Sequence, residues 1–231
     1  MPRTARAVVS GMVYHVLNRG NGRQDLFHKG GDFDAFLRVL NEGLGRYPVA
    51  LLAYCLMSNH WHLVLRPGPD ATALGRLMGW VGVTHVRRHH EHYHTRGGGH
   101  LYQGRFKSFP VQDDDHHLLT LCRYVESNPL RTGLVPRAED WPFSSLRWSA
   151  GLTDGPPPVP LAPWPADRPA DWLACVNDPL PEADAANLQI GVAKGRPFGD
   201  DSWVRRTVAD LGLTHTLRPA GRPTTRRGSL A

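Results

Sequence analysis

The sequence predicts an α+β protein: a ferredoxin-like sandwich whose antiparallel sheet carries its helices on one face, followed by an irregular C-terminal extension. Three observations lead to that class. Segments of strand and helix periodicity follow one another as strand, helix, strand, strand, helix, strand, helix. The two middle strands are separated only by Ser58-Asn59, so they lie side by side. Past Trp141-Pro142-Phe143-Ser144-Ser145 the composition changes and the pattern stops.

Residues 11–18 (GMVYHVLN) are strand-like, and Arg19-Gly20-Asn21-Gly22 closes them as a loop. Residues 32–45 are helical, with Phe33, Phe36, Leu37, Leu40 and Leu44 at helical spacing behind Asp32 as a cap. The apolar run 49–56 reads as a buried strand. From His60 the residues alternate: His60, His62 and Val64 point to one face, Trp61, Leu63 and Leu65 to the other. After Pro67-Gly68-Pro69, Leu74, Leu77, Met78 and Val81 begin a helix that runs to about His94, and Gly97-Gly98-Gly99 breaks the chain. Residues 109–112 form a short strand. Asp113-Asp114-Asp115 starts a third helix that Pro129 stops. Helices on one face of this sheet leave the His60/His62 face free for a site.

The folded unit is expected over residues 1–148. Residues 151–181 hold nine prolines and a single cation, so 149–193 reads as an extended, partly ordered linker. From 194 to 231 the chain turns basic again. Val204, Val208 and Leu211 suggest one short helix there, and 218–227 (RPAGRPTTRR) a disordered arm.

The formal charge is +6 and the pI about 9.6, with Lys29, Lys107 and Lys194 the only lysines. Arginine supplies the rest, and its planar fork suits phosphate. Cys55, Cys122 and Cys175 are too widely spaced for a disulfide framework or a metal knuckle. The start MPRTARAVVSG lacks the apolar core of a signal peptide, and no apolar run approaches the roughly 20 residues of a membrane span. The expectation is a cytoplasmic, nucleoid-associated protein with no membrane contact, monomer or homodimer.

Two stretches carry the chemistry. Same-face neighbours on a strand sit roughly 7 Å apart at the backbone, close enough for the His60 and His62 rings to reach one metal ion. On the third helix, Leu118, Leu121, Cys122 and Val125 form the core stripe, while Tyr124 and Asn128, four apart, stack on a neighbouring face. Between the two stretches, residues 76–107 hold Arg76, Arg87, Arg88, Arg96, Arg105 and Lys107, six histidines and a single acid, Glu91. Such a segment reads as a solvated basic face for a phosphate backbone.

His60-Trp61-His62 followed by Tyr124-Val125-Glu126-Ser127-Asn128-Pro129-Leu130-Arg131-Thr132-Gly133-Leu134-Val135 resembles the single-tyrosine HUH transposases. Within them it is most similar to the branch of the REP-associated tyrosine transposases. The similarity covers residues 8–148 and includes Tyr102-Gln103-Gly104-Arg105-Phe106-Lys107-Ser108. It implies an HUH endonuclease domain in which His60, His62 and Asn128 bind magnesium or manganese and Tyr124 is the nucleophile. The implied reaction cleaves and rejoins single-stranded or hairpin DNA through a 5′-phosphotyrosine. The cations expected at the DNA are Arg19, Arg87, Arg88, Arg105, Lys107 and Arg131.

Four other readings compete. Tyr102 is a rival nucleophile, in a loop near the basic segment. A His-x-His-x-Asp-His metallo-hydrolase needs an acid where Val64 stands. A rolling-circle nuclease shares the chemistry but fits the flanking motifs less well. A non-catalytic or domesticated sequence-specific DNA-binding protein keeping the HUH fold would bind without cutting.

Overall fold

The computed structural model describes residues 8–218, and the order of elements is the expected one. It runs β1 (Val13–Arg19), α1 (Gly30–Leu44), β2 (Val49–Met57), β3 (His60–Pro67), α2 (Thr72–His92), β4 (Lys107–Val111) and α3 (Asp115–Glu126). The strands form one antiparallel sheet in the order β2-β3-β1-β4. The strand bearing His60 and His62 is therefore internal, with its backbone groups engaged on both sides.

Side-chain alternation divides each strand between two cores. Tyr14, Val16, Tyr54, Leu56, Trp61, Leu63 and Leu65 pack with Phe33, Phe36, Leu37 and Leu40 of α1 and with Leu74, Leu77 and Val81 of α2. Val13, Leu17, Cys55, Met57, Val64, Phe109 and Val111 pack with Leu118, Leu121, Cys122 and Val125 of α3. The α+β sandwich holds, but the expectation that helices lie on one face only is corrected. Burying an aliphatic side chain is worth about 1.5–3 kcal/mol. The face opposite α1 and α2 is the one left for the four-residue stripe of α3. The site face is thus roofed by a helix rather than open.

A bulge hides the alternation of β2. Leu51 pairs with Leu65 and Ala53 with Val64, leaving Leu52 as an extra residue. Leu51 belongs to the α1/α2 core, whereas Leu52, Ala53, Cys55 and Met57 belong to the α3 core.

In place of the expected linker, the stretch 149–193 is a strap bound to the sheet and to α3. Strand β2 lies at the sheet edge, where unpaired backbone groups need partners. The Ala162 N–H donates to Leu51 O and the Trp164 indole N–H to Leu52 O, both at 2.8 Å. Further along, Leu56 donates to Phe143 O at 2.9 Å and the Trp141 indole to Leu56 O at 2.8 Å. Prolines deny the strap the N–H groups of a regular strand, so it binds through single contacts and through buried Val159, Ala166 and Trp172. At the other edge, Gln112 donates to Phe198 O (2.8 Å) and Phe198 to Pro110 O (3.0 Å). After α4 (Asn128–Arg131), which follows α3, come α5 (Leu146–Ser149), α6 (Trp172–Asn177) and α7 (Glu182–Lys194). The expected short helix is α8 (Asp201–Asp210), with Val204 and Val208 buried. The proposed arm lies, beyond Arg218, outside the described residues.

One buried carboxylate fixes the end of α3. Glu126 is fully buried and accepts from Ser145 Oγ (2.6 Å) and Ser149 Oγ (3.1 Å) at Oε1 and from the Trp172 indole (2.7 Å) at Oε2. Burial raises its pKa above the ordinary 4.5, against the pull of those hydrogen bonds. In Glu126→Leu the two hydroxyls can turn to Tyr54 O and Leu146 O, but the buried Trp172 indole N–H loses its acceptor. Urea unfolding should show a loss of about 1–3 kcal/mol.

Candidate active site

His60 and His62 sit on the same face of β3, with ring centroids 5.0 Å apart and planes nearly perpendicular. α3 crosses this face and lays the Tyr124 ring edge-on to His62, at 6.2 Å between centroids. The helix is set by its own signals: the Asp114 carboxylate caps it by accepting from His117 N at 2.8 Å, and the core stripe fixes its rotation. It ends at Glu126 rather than at Asn128. Ser127 closes it, and Asn128 is the first residue of the separate turn α4 (Asn128–Arg131), with Pro129 where the missing N–H does no harm. Asn128 is buried and, among the described residues, its side-chain amide has no hydrogen-bond partner.

These groups surround a cavity of about 400 Å³ lined by His60, His62, Tyr124 and Asn128 together with Arg19, Arg105, Lys107 and Arg131. Three members of its wall, Asn18, Gln103 and Thr132, carry polar groups that the sequence pattern does not single out. The Arg131 guanidinium stands 4.3 Å over the Tyr124 ring. Not every expected cation is free. The Lys107 ammonium donates at 3.3 Å to Val192 O and Ala193 O at the end of α7. Arg87 lines a second, larger groove of about 1140 Å³ between α2 and residues 99–106, which shares Asn18, Gln103, Gly104 and Arg105 with the first cavity. Arg88 belongs to neither; its guanidinium grips Glu42 of α1 at 2.8 and 2.9 Å. The expected solvated face is likewise broken, since His85 is buried and bonded to the Tyr102 hydroxyl at 2.7 Å.

The imidazoles are held neutral. Burial, helped by the Arg19 charge, lowers the His60 pKa from 6.5 to about 4. Burial also takes His62 well below 6.5, with His15, His60, Arg19 and Arg131 adding to the effect. His60 Nδ1 lies 2.6 Å from the Asn59 side-chain oxygen, which only accepts, so Nδ1 carries the proton and Nε2 keeps a lone pair. His62 Nδ1 is engaged by His15 Nε2 at 2.8 Å. His15 was legible as the one polar residue among Val13, Leu17 and Val64 on this face, but no motif marks it.

Two neutral imidazoles with Nδ1 committed and an unpartnered amide fit a divalent cation, with His60, His62 and Asn128 as donors. Among the described residues no three His, Cys, Asp or Glu side chains converge on a metal position, and the Asn128 amide is a further oxygen donor in the cavity beside the two imidazoles. Tyr102 is set apart. It lies on the α1/α2 side of the sheet, where its hydroxyl accepts from the Trp61 indole at 3.1 Å and is bonded to His85 Nδ1 at 2.7 Å. Burial raises its pKa.

A tyrosine-bearing helix laid over paired histidines on the inner strand of such a sheet is the arrangement that the resemblance to transposases implies. The family comparison says which: residues 8–128 match the model "Transposase IS200 like", and the chain belongs to that family. Its fold is similar to that of a REP-associated tyrosine transposase solved with a REP hairpin (19% identity, TM-score 0.53, covering 74% of this chain and 96% of that one). A putative transposase from Deinococcus radiodurans R1 is more distant (17% identity, TM-score 0.38, covering 54% and 96%). No curated protein matches the chain. Among the described residues no helix is long and apolar enough to cross a membrane.

The depressed histidine pKa values give the protein an acid weakness. A group whose folded pKa is lowered stabilises the fold above its unfolded pKa and loses that contribution as pH falls toward the folded value. Unfolding free energy should therefore decline from pH 6.5 downward. His60 alone should contribute about 3 kcal/mol of that decline by pH 4, and His60→Ala should show a correspondingly shallower loss in urea titrations across this window.

Proposed function

We propose that this transposase cleaves and rejoins single-stranded, hairpin-associated DNA through a 5′-phosphotyrosine at Tyr124. The observation that supports this reading is the single cavity into which Tyr124, two neutral imidazoles and the Arg131 guanidinium all open. Hairpin DNA as substrate draws on the fold neighbour's complex with a REP hairpin. The catalytic unit is read as residues 1–148, with 149–193 clamping it and 194–231 as a basic extension.

In the proposed reaction the Tyr124 oxygen attacks the scissile phosphorus. A bond forms from phosphorus to Tyr124, the bond to the 3′ oxygen breaks, the phenol proton leaves, and the departing 3′ oxygen takes up a proton. Arg131 and Arg19 supply positive charge to the phosphoryl oxygens as the transition state forms. His60, His62 and Asn128 would hold magnesium or manganese, which when bound polarises the scissile phosphate. The helix fixes the phenol relative to the imidazoles, which supports in-line attack without a closing lid. Reversal by the 3′-hydroxyl of another strand regenerates Tyr124 and rejoins the DNA without an external energy source.

Wild-type protein incubated with hairpin DNA and magnesium, then denatured, should carry DNA joined to the peptide containing Tyr124. Tyr124→Phe should lose cleavage and adduct together, because a nucleophile has no substitute, with stability changed by less than about 1 kcal/mol. Tyr102→Phe should keep the adduct, and its lost buried hydrogen bonds should lower stability by about 1–3 kcal/mol. No adduct from wild type on DNA that it binds would mean a protein that binds without cutting.

Affinity should fall steeply with salt, with a log–log slope of about −0.7 per phosphate neutralised on a single strand. Arg105 lines both cavities, so Arg105→Ala should weaken binding to every sequence and flatten the slope by about 0.7. Fluorescence anisotropy between 50 and 200 mM salt, roughly the range over which such slopes are read, checks it. An unchanged slope would place the strand elsewhere.

A further inference from the structure

His15 stands between Val13 and Leu17 on the face of β1 shared with α3, and it has no exposure to solvent at all. In the strand register His15 opposes Val64 and Leu17 opposes His62, so the two imidazoles are diagonal neighbours. Their planes lie within 9° of each other, with centroids 4.9 Å apart. These rings meet edge to edge, not face to face. Stacked rings would stand at least roughly 3.5 Å apart, yet His15 Nε2 and His62 Nδ1 approach to 2.8 Å. The bond therefore lies near the common plane, the best direction for an N–H pointing at an imidazole lone pair. Phe109 holds His15 from the side, edge-on at 4.9 Å, and Gly191 of α7 presses on that phenyl: a Cβ there would come within 2.8 Å of it. The other nitrogen, His15 Nδ1, is buried with no partner among the described residues. A polar group left unpaired in a core is a standing loss that an aliphatic residue would avoid.

A neutral imidazole has one N–H and one lone pair, so only two arrangements of this pair exist. If His15 donates, His62 presents an N–H to the cavity from Nε2 and cannot be a ligand. If His62 Nδ1–H donates, His62 Nε2 turns a lone pair to the cavity. We propose that His15 is a positioning residue that accepts the Nδ1–H of His62 and so holds His62 as the tautomer able to ligate through Nε2. The role rests on reading His62 as a metal ligand. On the other ligand Asn59 does the same, since its oxygen accepts from His60 Nδ1. The pair of imidazoles is thus oriented by one residue of a turn and one of a neighbouring strand.

The test compares His15→Leu and His15→Gln in the full chain. Leucine fills the space without an acceptor; glutamine restores an acceptor oxygen. Nitrogen-15 NMR of the histidine rings reads the tautomer of His62 without metal, and calorimetric titration with manganese reads affinity without DNA or turnover. The expectation is Nδ1–H on His62 in wild type, a mixed or Nε2–H state in His15→Leu, and recovery in His15→Gln. Manganese affinity should fall about 10–100-fold in His15→Leu and largely return in His15→Gln, while thermal unfolding of His15→Leu stays level with wild type or rises. Wild-type His62 found as Nε2–H, or full manganese affinity in His15→Leu, overturns the role of His15. His62→Ala separates the two readings. If it binds manganese as tightly as wild type, the metal assignment fails, and the tautomer of His62 alone then decides whether His15 orients it.

Discussion

The seating of α3 across the histidine face of the sheet is the constraint on which the rest depends. Leu118, Leu121, Cys122 and Val125 are all buried under it, and at about 1.5–3 kcal/mol for each large aliphatic their stripe leaves the helix one rotation. Tyr124 lies beside that stripe, so the rotation that buries Val125 also turns the phenol toward His62. Glu126 then fixes translation along the axis. Its carboxylate cannot shift by a turn without leaving Ser145, Ser149 and Trp172, and a buried carboxylate without partners is among the costliest states in a protein core. Rotation comes from apolar area, and translation comes from one polar group.

That polar group ties the candidate site to chain far outside the matched family region. Trp172 belongs to the strap, and the same strap supplies the donors for Leu51 and Leu52 at the bulge of β2. Through Phe198 and α7 the C-terminal part covers β4 as well. The protein thereby removes both exposed sheet edges, the usual route to edge-to-edge association. On the β4 side the cover reaches the site itself: Gly191 rests on Phe109, Phe109 on His15, and His15 holds His62. The absence of a side chain at Gly191 is what allows α7 so close.

The order of elements was legible because period and punctuation agree along the first 130 or so residues. His60, His62 and Tyr124 were legible for the same reason, since strand alternation and helix spacing assign each a face. Three things were not. The bulge at Leu52 leaves a run in which every residue is buried, so alternation carries no information there. The strap escaped because proline-rich composition signals a missing ladder, and single hydrogen bonds from Ala162 and Trp164 need no period. The closure of the second face escaped because an amphipathic helix states that it has a buried side without stating which sheet face it covers. Asn128 illustrates the smallest scale of the problem. Pro129 marks a boundary correctly, but the helix ends two residues earlier and restarts, which no spacing rule distinguishes from a helix that simply stops.

The electrostatics of the cavity follow from the same packing. Arg19 and Arg131 stand beside imidazoles that burial has already made hard to protonate, so the cations and the neutral imidazoles coexist at ordinary pH. In an open site facing water, the same arginines would be screened within about 8–10 Å at physiological salt, and the histidines would titrate near 6.5. Roofing the face with α3 changes both at once. It strengthens the pull on a phosphate by lowering the local dielectric, and it keeps the nitrogen lone pairs free by excluding the proton that would occupy them. A helix recruited to bury four apolar residues thereby sets the chemical state of the histidines beneath it.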